Sequence, residues 1–124
     1  MINIRLNALM FALACMGLCP ISEARLADKL ARLKGYVIAG SKTIVGYADK
    51  DGKKSDEFEG CDFDRRIMFD DGTALTCSSY GYIYAYRPTA VILMKSTQYQ
   101  GQTFAFVKII VEDEIYEMEP IMVR

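Results

Sequence analysis

Tyrosines at every second position dominate the stretch from Cys77 to Pro88 and constrain its structure more than any other feature of the sequence. Four of the chain's eight tyrosines fall here, in the order Tyr80, Gly81, Tyr82, Ile83, Tyr84, Ala85, Tyr86. Successive side chains of an extended strand point to opposite faces. The pattern therefore predicts a β-strand with four phenols on one face and small or aliphatic groups on the other.

Further β-prone runs, separated by turns, indicate the fold class. The turn pairs Asp51-Gly52 and Asp71-Gly72 lie between runs rich in branched and aromatic residues, and two last runs flank Glu112-Asp113-Glu114. Aspartate followed by glycine is typical of β-hairpin turns. About seven short strands predict an all-β domain, a small SH3-like barrel or sandwich.

A short helix is predicted before the strands. Leu26, Leu30 and Leu33 recur at helical spacing, and Gly35 follows as a helix C-cap. We expect a helix over Arg25–Lys34 that packs its leucines on the end of the sheet. Its excess of basic residues leaves a membrane-surface or partner-binding helix as the alternative.

The first 24 residues have the organisation of an export signal. Arg5 precedes an apolar run from Ala8 to Leu18, and Ser22-Glu23-Ala24 places small residues at the −3 and −1 positions of a cleavage site. Cleavage after Ala24 leaves one β domain over residues 25–124, in the periplasm or secreted. The apolar run is shorter than the roughly 20 residues of a stable membrane span. Lipid attachment at Cys15 is the alternative.

Two cysteines remain after this cleavage, because Cys15 and Cys19 leave with the signal. An even pair in an exported protein predicts one disulfide, between Cys61 and Cys77. Free thiols, a metal-binding pair and a catalytic dithiol are the alternatives. Catalytic dithiols usually lie close together in sequence with one thiol at a helix start, which this pair does not.

The turn at Asp71-Gly72 fixes how the strand before it pairs with the strand after it, and this pairing shows whether Cys61 and Cys77 can meet. A two-residue loop pairs Arg66 with Cys77, which leaves Cys61 on the opposite face and too far along its strand. A three-residue loop puts both cysteines on one face but still about four residues out of step. Since bridged Cα atoms lie within about 7 Å, the chain must turn or bulge between Gly60 and Arg66. Aspartates at 62 and 64 favour such a break.

The same register predicts the environment of the tyrosines. Extrapolated, it places Phe63 opposite Tyr80, so that Phe63, Ile67 and Phe69 share a face with the start of the tyrosine stretch. We therefore expect Tyr80 to be mostly buried. Tyr84 and Tyr86 approach the strand end at Pro88, where the face meets solvent, and we expect them to be exposed.

These motifs together resemble a known group of proteins. The residues that carry the resemblance are Gly60-Cys61, Asp71-Gly72-Thr73, Cys77, Tyr80-Gly81-Tyr82 and Tyr84-Ala85-Tyr86-Arg87-Pro88. With them the chain resembles small uncharacterised exported proteins of bacteria, over much of the mature chain. The resemblance implies a location in the bacterial envelope and carries no activity to this chain.

Motifs that support catalysis are weak in this sequence. The chain has no histidine, the commonest general base and transition-metal ligand, and we predict neither a cofactor nor a metal site. Acid–base chemistry would fall to a group of aspartates, namely Asp62, Asp64, Asp70 and Asp71. The net charge of -1 gives no general attraction to nucleic acid.

The tyrosine stretch is the best candidate for function. Tyrosine combines a large apolar ring with a polar tip, which suits recognition surfaces. We therefore predict a non-catalytic binding module that uses Tyr82, Tyr84 and Tyr86 to contact a protein, peptide or glycan of the cell envelope. The alternatives are packing of the tyrosines in the core, a small hydrolase or redox enzyme, and a purely structural envelope component.

Overall fold

The computed structural model describes residues 22–123. The predicted export signal, with Cys15, Cys19 and the lipidation alternative, lies outside these residues up to residue 21. Contacts within the chain divide it into two compact units, a β unit over Gly35–Arg124 and a unit before it that contains the helix.

The helix α1 covers Ser22–Ala31 and so begins and ends three residues before the predicted bounds. Leu26 and Leu30 are 57% and 49% exposed. The burial predicted for these two leucines is therefore wrong, whereas Leu33, the third of the predicted set, is buried. The helix lies in the compact unit before Gly35, whereas all seven strands lie in the β unit.

Seven strands within residues 22–123 form one antiparallel sheet, as the alternating pattern predicts. They are β1 (Val37–Ala48), β2 (Lys54–Ser55), β3 (Arg66–Phe69), β4 (Ala74–Thr76), β5 (Thr89–Tyr99), β6 (Gln102–Val111) and β7 (Glu114–Val123). Along the sheet the order is β4-β3-β1-β5-β6-β7, and β2 pairs with β1 beside β3. β1 is long enough to pair with β5 through its first half and with β3 through its second.

The sheet is not closed as a barrel. Its two outer strands, β4 and β7, meet where Cys77 forms an isolated bridge with Met118 and the Ser78 N–H donates to the Glu117 carbonyl at 3.0 Å. No ladder continues from this bridge among the described residues. The all-β class with a short N-terminal helix is confirmed, whereas barrel closure is not observed.

The core lies on one face of the curved sheet and follows the period of two along its strands. In β6, Ala105, Val107, Ile109 and Val111 are buried, while the residues between them are not. Aromatic rings complete the interior, where Phe58 meets Tyr116 edge to face at 5.8 Å between ring centroids. The larger fully buried side chains are Tyr47, Phe58, Ile44, Ile67, Ile109 and Val111.

The hairpin between β3 and β4 has a three-residue loop, Asp70–Gly72. Its ladder pairs Met68 with Ala74, and the Phe69 N–H donates to the Thr73 carbonyl at 2.9 Å. The two-residue loop, and with it the pairing of Arg66 with Cys77, is therefore wrong by one residue. The reason is Gly72, whose φ of 83° accommodates the left-handed last position of a three-residue loop.

Candidate functional site

The tyrosine row, which comprises Tyr80, Tyr82, Tyr84 and Tyr86, lies on an extended segment rather than in a strand. Isolated bridges attach this segment to the chain before it, at Phe58 with Ala85 and at Cys61 with Gly81. The N–H groups and carbonyls of both bridges exchange hydrogen bonds of 2.8–3.0 Å. The predicted strand is wrong because the two bridges do not extend into a continuous ladder.

The predicted alternation of side chains is nevertheless present. The four phenols point outward and are 69%, 67%, 56% and 67% exposed in chain order. Ile83 and Ala85, which alternate with them, pack against the hydrophobic core. The exposure predicted for Tyr84 and Tyr86 is thus observed, and Tyr82 is exposed as well.

The burial predicted for Tyr80 is wrong, and Phe63, its predicted neighbour, is 65% exposed. The extrapolated strand does not reach Phe63, because the chain turns where the Arg65 N–H donates to the Asp62 carbonyl at 3.0 Å. Phe63 sits in that turn and contributes nothing to the sheet face. Only Ile67 and Phe69 of the predicted face are buried.

The disulfide explains how the segment is held. Cys61 and Cys77 are bonded with their Cα atoms 5.7 Å apart, and they are 1% and 0% exposed. The break predicted between Gly60 and Arg66 brings them together, since Gly60 and Asp64 have φ values of 86° and 67°. At Gly60 a Cβ atom would lie 2.0 Å from the Gly81 carbonyl oxygen, so glycine is required where the two segments approach.

A polar group that the sequence does not reveal lies beneath the tyrosine row. Arg65 is the one charged residue that is buried among those described, at 8% exposure. Its guanidinium stacks on the ring of Tyr47 at 3.9 Å and bonds to both Asp49 oxygens, at 2.6 and 3.1 Å. It also donates to the Gly60 carbonyl at 3.3 Å. Arg65 therefore ties β1 to the segment that carries Cys61.

Tyr47 connects this buried group to the surface. Its ring is fully buried, and its hydroxyl donates to the Glu59 carboxylate, which is partly exposed. Burial and the bond to Glu59 raise the pKa of Tyr47 to about 12. The phenol therefore stays neutral at physiological pH and orients Glu59 next to the tyrosine row.

Beside the row lies a small polar hollow of about 290 Å³. Tyr80 and Tyr82 form one wall, and Lys53, Glu59, Asp62 and Arg65 supply its charges. At Tyr84, hydrogen bonding to Glu57 raises the pKa of the phenol, and the charges of Glu59 and Asp56 act in the same direction. Carboxylates thus set the electrostatic character of this surface.

Three of the four aspartates proposed for acid–base chemistry, Asp62, Asp64 and Asp71, make separate interactions. Asp71 bonds to Lys42 at 2.7 Å, and this hydrogen bond, with those from Thr73, holds the pKa of Asp71 well below its usual range. Asp64 lies 3.7 Å from Lys50, and Asp62 accepts the Phe63 N–H. Within residues 22–123, no group of acidic residues or cysteines is arranged to hold a metal ion.

A second depression, about 390 Å³ in volume, is apolar and lies away from the tyrosines. It opens between the first half of β1, the β3–β4 hairpin and β7. The residues that line it are Ala39, Gly40, Lys42, Phe69, Thr73, Ala74, Leu75, Ile92, Met94 and Ile121. Lys42 at its margin is already paired with Asp71, so this depression has no free charge to orient a polar ligand.

In the part of the chain that the structure describes, no helix has both the length and the apolar character needed to cross a membrane. Comparisons with protein-family models, with curated proteins and with solved structures found no match.

Proposed function

We propose that this chain is an exported protein of the bacterial envelope that acts as a non-catalytic binding module through its tyrosine row. The observation that carries the proposal is the exposure of Tyr80, Tyr82, Tyr84 and Tyr86 along one segment. A single exposed ring is ordinary, but contiguous exposed aromatic surface marks interaction sites. Tyrosine also contributes large contact area at low entropic cost, because its side chain has few rotatable bonds.

The support of the row favours binding over a mobile loop. Two bridges, a disulfide and the buried Arg65 group restrain the segment, and a surface that is ordered before binding loses less entropy on binding. We propose that the curved, open sheet serves as the rigid base of the module, as in an SH3-like fold. The buried disulfide supports an oxidising compartment, and therefore the periplasm or the cell exterior.

Affinity capture from an envelope extract tests this proposal. We expect the wild-type protein to retain specific components that the variant Tyr82→Ala/Tyr84→Ala does not. Tyr99→Ala is the matched control, because Tyr99 is 66% exposed on β5 and lies outside the row.

Hydroxyl-radical footprinting of the same complexes identifies the contact surface. We expect protection of the peptide that contains residues 80–86 when a retained component is bound. If wild type and the double variant retain the same components, or if protection falls elsewhere, the tyrosine row is not the binding surface.

One observation favours a second candidate function, a structural envelope component that works through strand edges. Val37–Ser41, in the first half of β1, are exposed at every position, and the ladder with β3 begins only at Ile44. Exposed apolar edges pair readily with other strands. Self-association measured by sedimentation, and its loss in Ile38→Lys, would support this function. A monomer at all concentrations contradicts it.

A further inference from the structure

We propose that the partner of the tyrosine row is an extended peptide segment rich in lysine or arginine. This inference rests on the proposed function and specifies its ligand. The observation behind it is a ribbon of two segments whose outer face carries tyrosines on one segment and carboxylates on the other.

The bridge between Phe58 and Ala85 defines this ribbon. Glu57 and Glu59 flank Phe58, and Tyr84 and Tyr86 flank Ala85. Phe58 is fully buried and Ala85 packs against the core, so the residues on either side of each point outward. Because the segments are antiparallel and directly bridged, the glutamates lie next to the tyrosines on the same face.

The same arrangement continues toward the other end of the row. Cys61 bridges Gly81, and the hollow beside them is lined by Glu59 and Asp62 together with Tyr80 and Tyr82. Carboxylates therefore accompany the tyrosines along most of the row.

The positive charges near this surface do not cancel its negative character. The Arg65 charge is neutralised by Asp49, to which it bonds with two nitrogens. Lys53 lines the hollow, and Arg87 lies over the ring of Tyr86 at 6.0 Å, at the far end of the row. Against these two cations stand four carboxylates, from Asp56, Glu57, Glu59 and Asp62.

A basic peptide fits both components of this surface. The face of a tyrosine ring attracts a lysine or arginine side chain, and a nearby carboxylate adds an ion pair. The chain already makes such contacts internally, since Arg65 stacks on Tyr47 at 3.9 Å. An acidic peptide or an anionic lipid surface would instead meet the carboxylates, which disfavours both.

The length of the row indicates an extended ligand. Six residue steps separate Tyr80 from Tyr86, and an extended chain covers at most about 20 Å over that number of steps. A peptide of similar length that lies along the ribbon would contact all four rings with alternate side chains.

Fluorescence anisotropy with two synthetic peptides tests this inference. The first is a fluorescein-labelled dodecamer of alternating lysine and alanine, and the second has glutamate in place of each lysine. We expect the lysine peptide to bind at least about tenfold more tightly, and to weaken at least about threefold between ~0.05 and ~0.5 M salt because salt screens exposed charges.

Matched variants separate the two components of the surface. Glu57→Gln should weaken the lysine peptide about three- to tenfold, whereas Asp70→Asn, which removes the same charge from the β3–β4 loop, should change it less than about twofold. Tyr82→Ala/Tyr84→Ala should abolish measurable binding, with Tyr99→Ala unchanged. Circular dichroism of each variant verifies that it is folded.

The outcomes distinguish this inference from the proposed function. If the two peptides bind equally or not at all while the tyrosine variant still loses envelope components, the inference is overturned and the binding module stands. Lysine-peptide binding that does not need Tyr82 and Tyr84 also overturns it. Competition by spermidine at equal charge concentration, to the same extent as by the peptide, would show that the surface binds polyamines rather than a peptide segment.

Discussion

Removal of the disulfide between Cys61 and Cys77 should destabilise the protein by about 3 kcal/mol. The cysteines are 16 residues apart in sequence, and in the chain-entropy treatment a loop of this length restricts the unfolded ensemble by that amount. For a unit of about 90 residues, each kcal/mol shifts the melting temperature by about 4–8 °C, which predicts a decrease of about 12–24 °C. The variant to use is Cys61→Ala/Cys77→Ala, because serine would bury two hydroxyls at these closed positions.

Urea unfolding followed by tyrosine near-ultraviolet circular dichroism provides the measurement. The double variant should unfold at lower urea, and the dependence on urea should steepen because the unfolded chain without the bond is more expanded. Mass spectrometry under non-reducing conditions must first show that the purified wild type is lighter than the reduced chain by two hydrogen atoms, as one disulfide requires. A loss below about 1 kcal/mol in a protein shown to be oxidised would refute the reasoning, since the bond would then barely restrict the unfolded ensemble.

Three further results are expected. Gly60→Ala should reduce the free energy of unfolding by about 1–3 kcal/mol in urea titrations. The reason is that Gly60 has a φ of 86° and that the new Cβ would approach the Gly81 carbonyl oxygen to 2.0 Å. An unchanged urea midpoint would contradict this close approach. Tyr80→Ala should cost less than about 1 kcal/mol by thermal melting, because the ring is 69% exposed, and a larger cost would mean that it is buried. Stability should fall between about pH 10 and 12, because burial raises the pKa of both Tyr47 and Tyr116 to about 12 in the folded chain, from near 10 in the unfolded chain. The neutral phenols stabilise the fold fully below pH ~10 and no longer above pH ~12, and urea midpoints that stay flat across this range would contradict the raised pKa values.

Most elements of the fold follow from local patterns, with the tyrosine stretch as the exception, whereas the register does not. Alternating apolar residues and aspartate-glycine turns predict the strands, and they predict that strands joined by a short turn pair antiparallel. The register of β3 and β4 depends on whether Gly72 closes a two- or a three-residue loop, and both loops are compatible with the same residues. A shift of one residue between the two strands moves the side chains of β4 to the opposite face relative to β3, and for this reason the predicted burial of Tyr80 is wrong.

The polar group around Arg65 illustrates what the sequence does not reveal. Arg65 is adjacent to Arg66, and nothing in their order indicates that one is buried and the other exposed. The burial arises because the turn before Arg65 directs it inward toward Asp49, which is 16 residues away. The disulfide, by contrast, is predictable, because an even pair of cysteines after an expected export signal leaves few other uses, and geometry then requires the break after Gly60.

The orientation of the tyrosine row is decided by the space available in the core. Tyr116 and Phe58 already fill the interior beneath the row, and a Cβ at Gly81 would lie 3.0 Å from the Tyr116 ring. Only small or aliphatic residues fit on the inner side, so the phenols must face solvent. Each leaves about 100 Å² of ring exposed, which forgoes roughly 2 kcal/mol of burial per tyrosine. Over the four residues this is roughly 8 kcal/mol of burial that folding does not use. The core thus explains why these positions face solvent but not why all four of them are tyrosine, and the proposed binding surface would supply that reason.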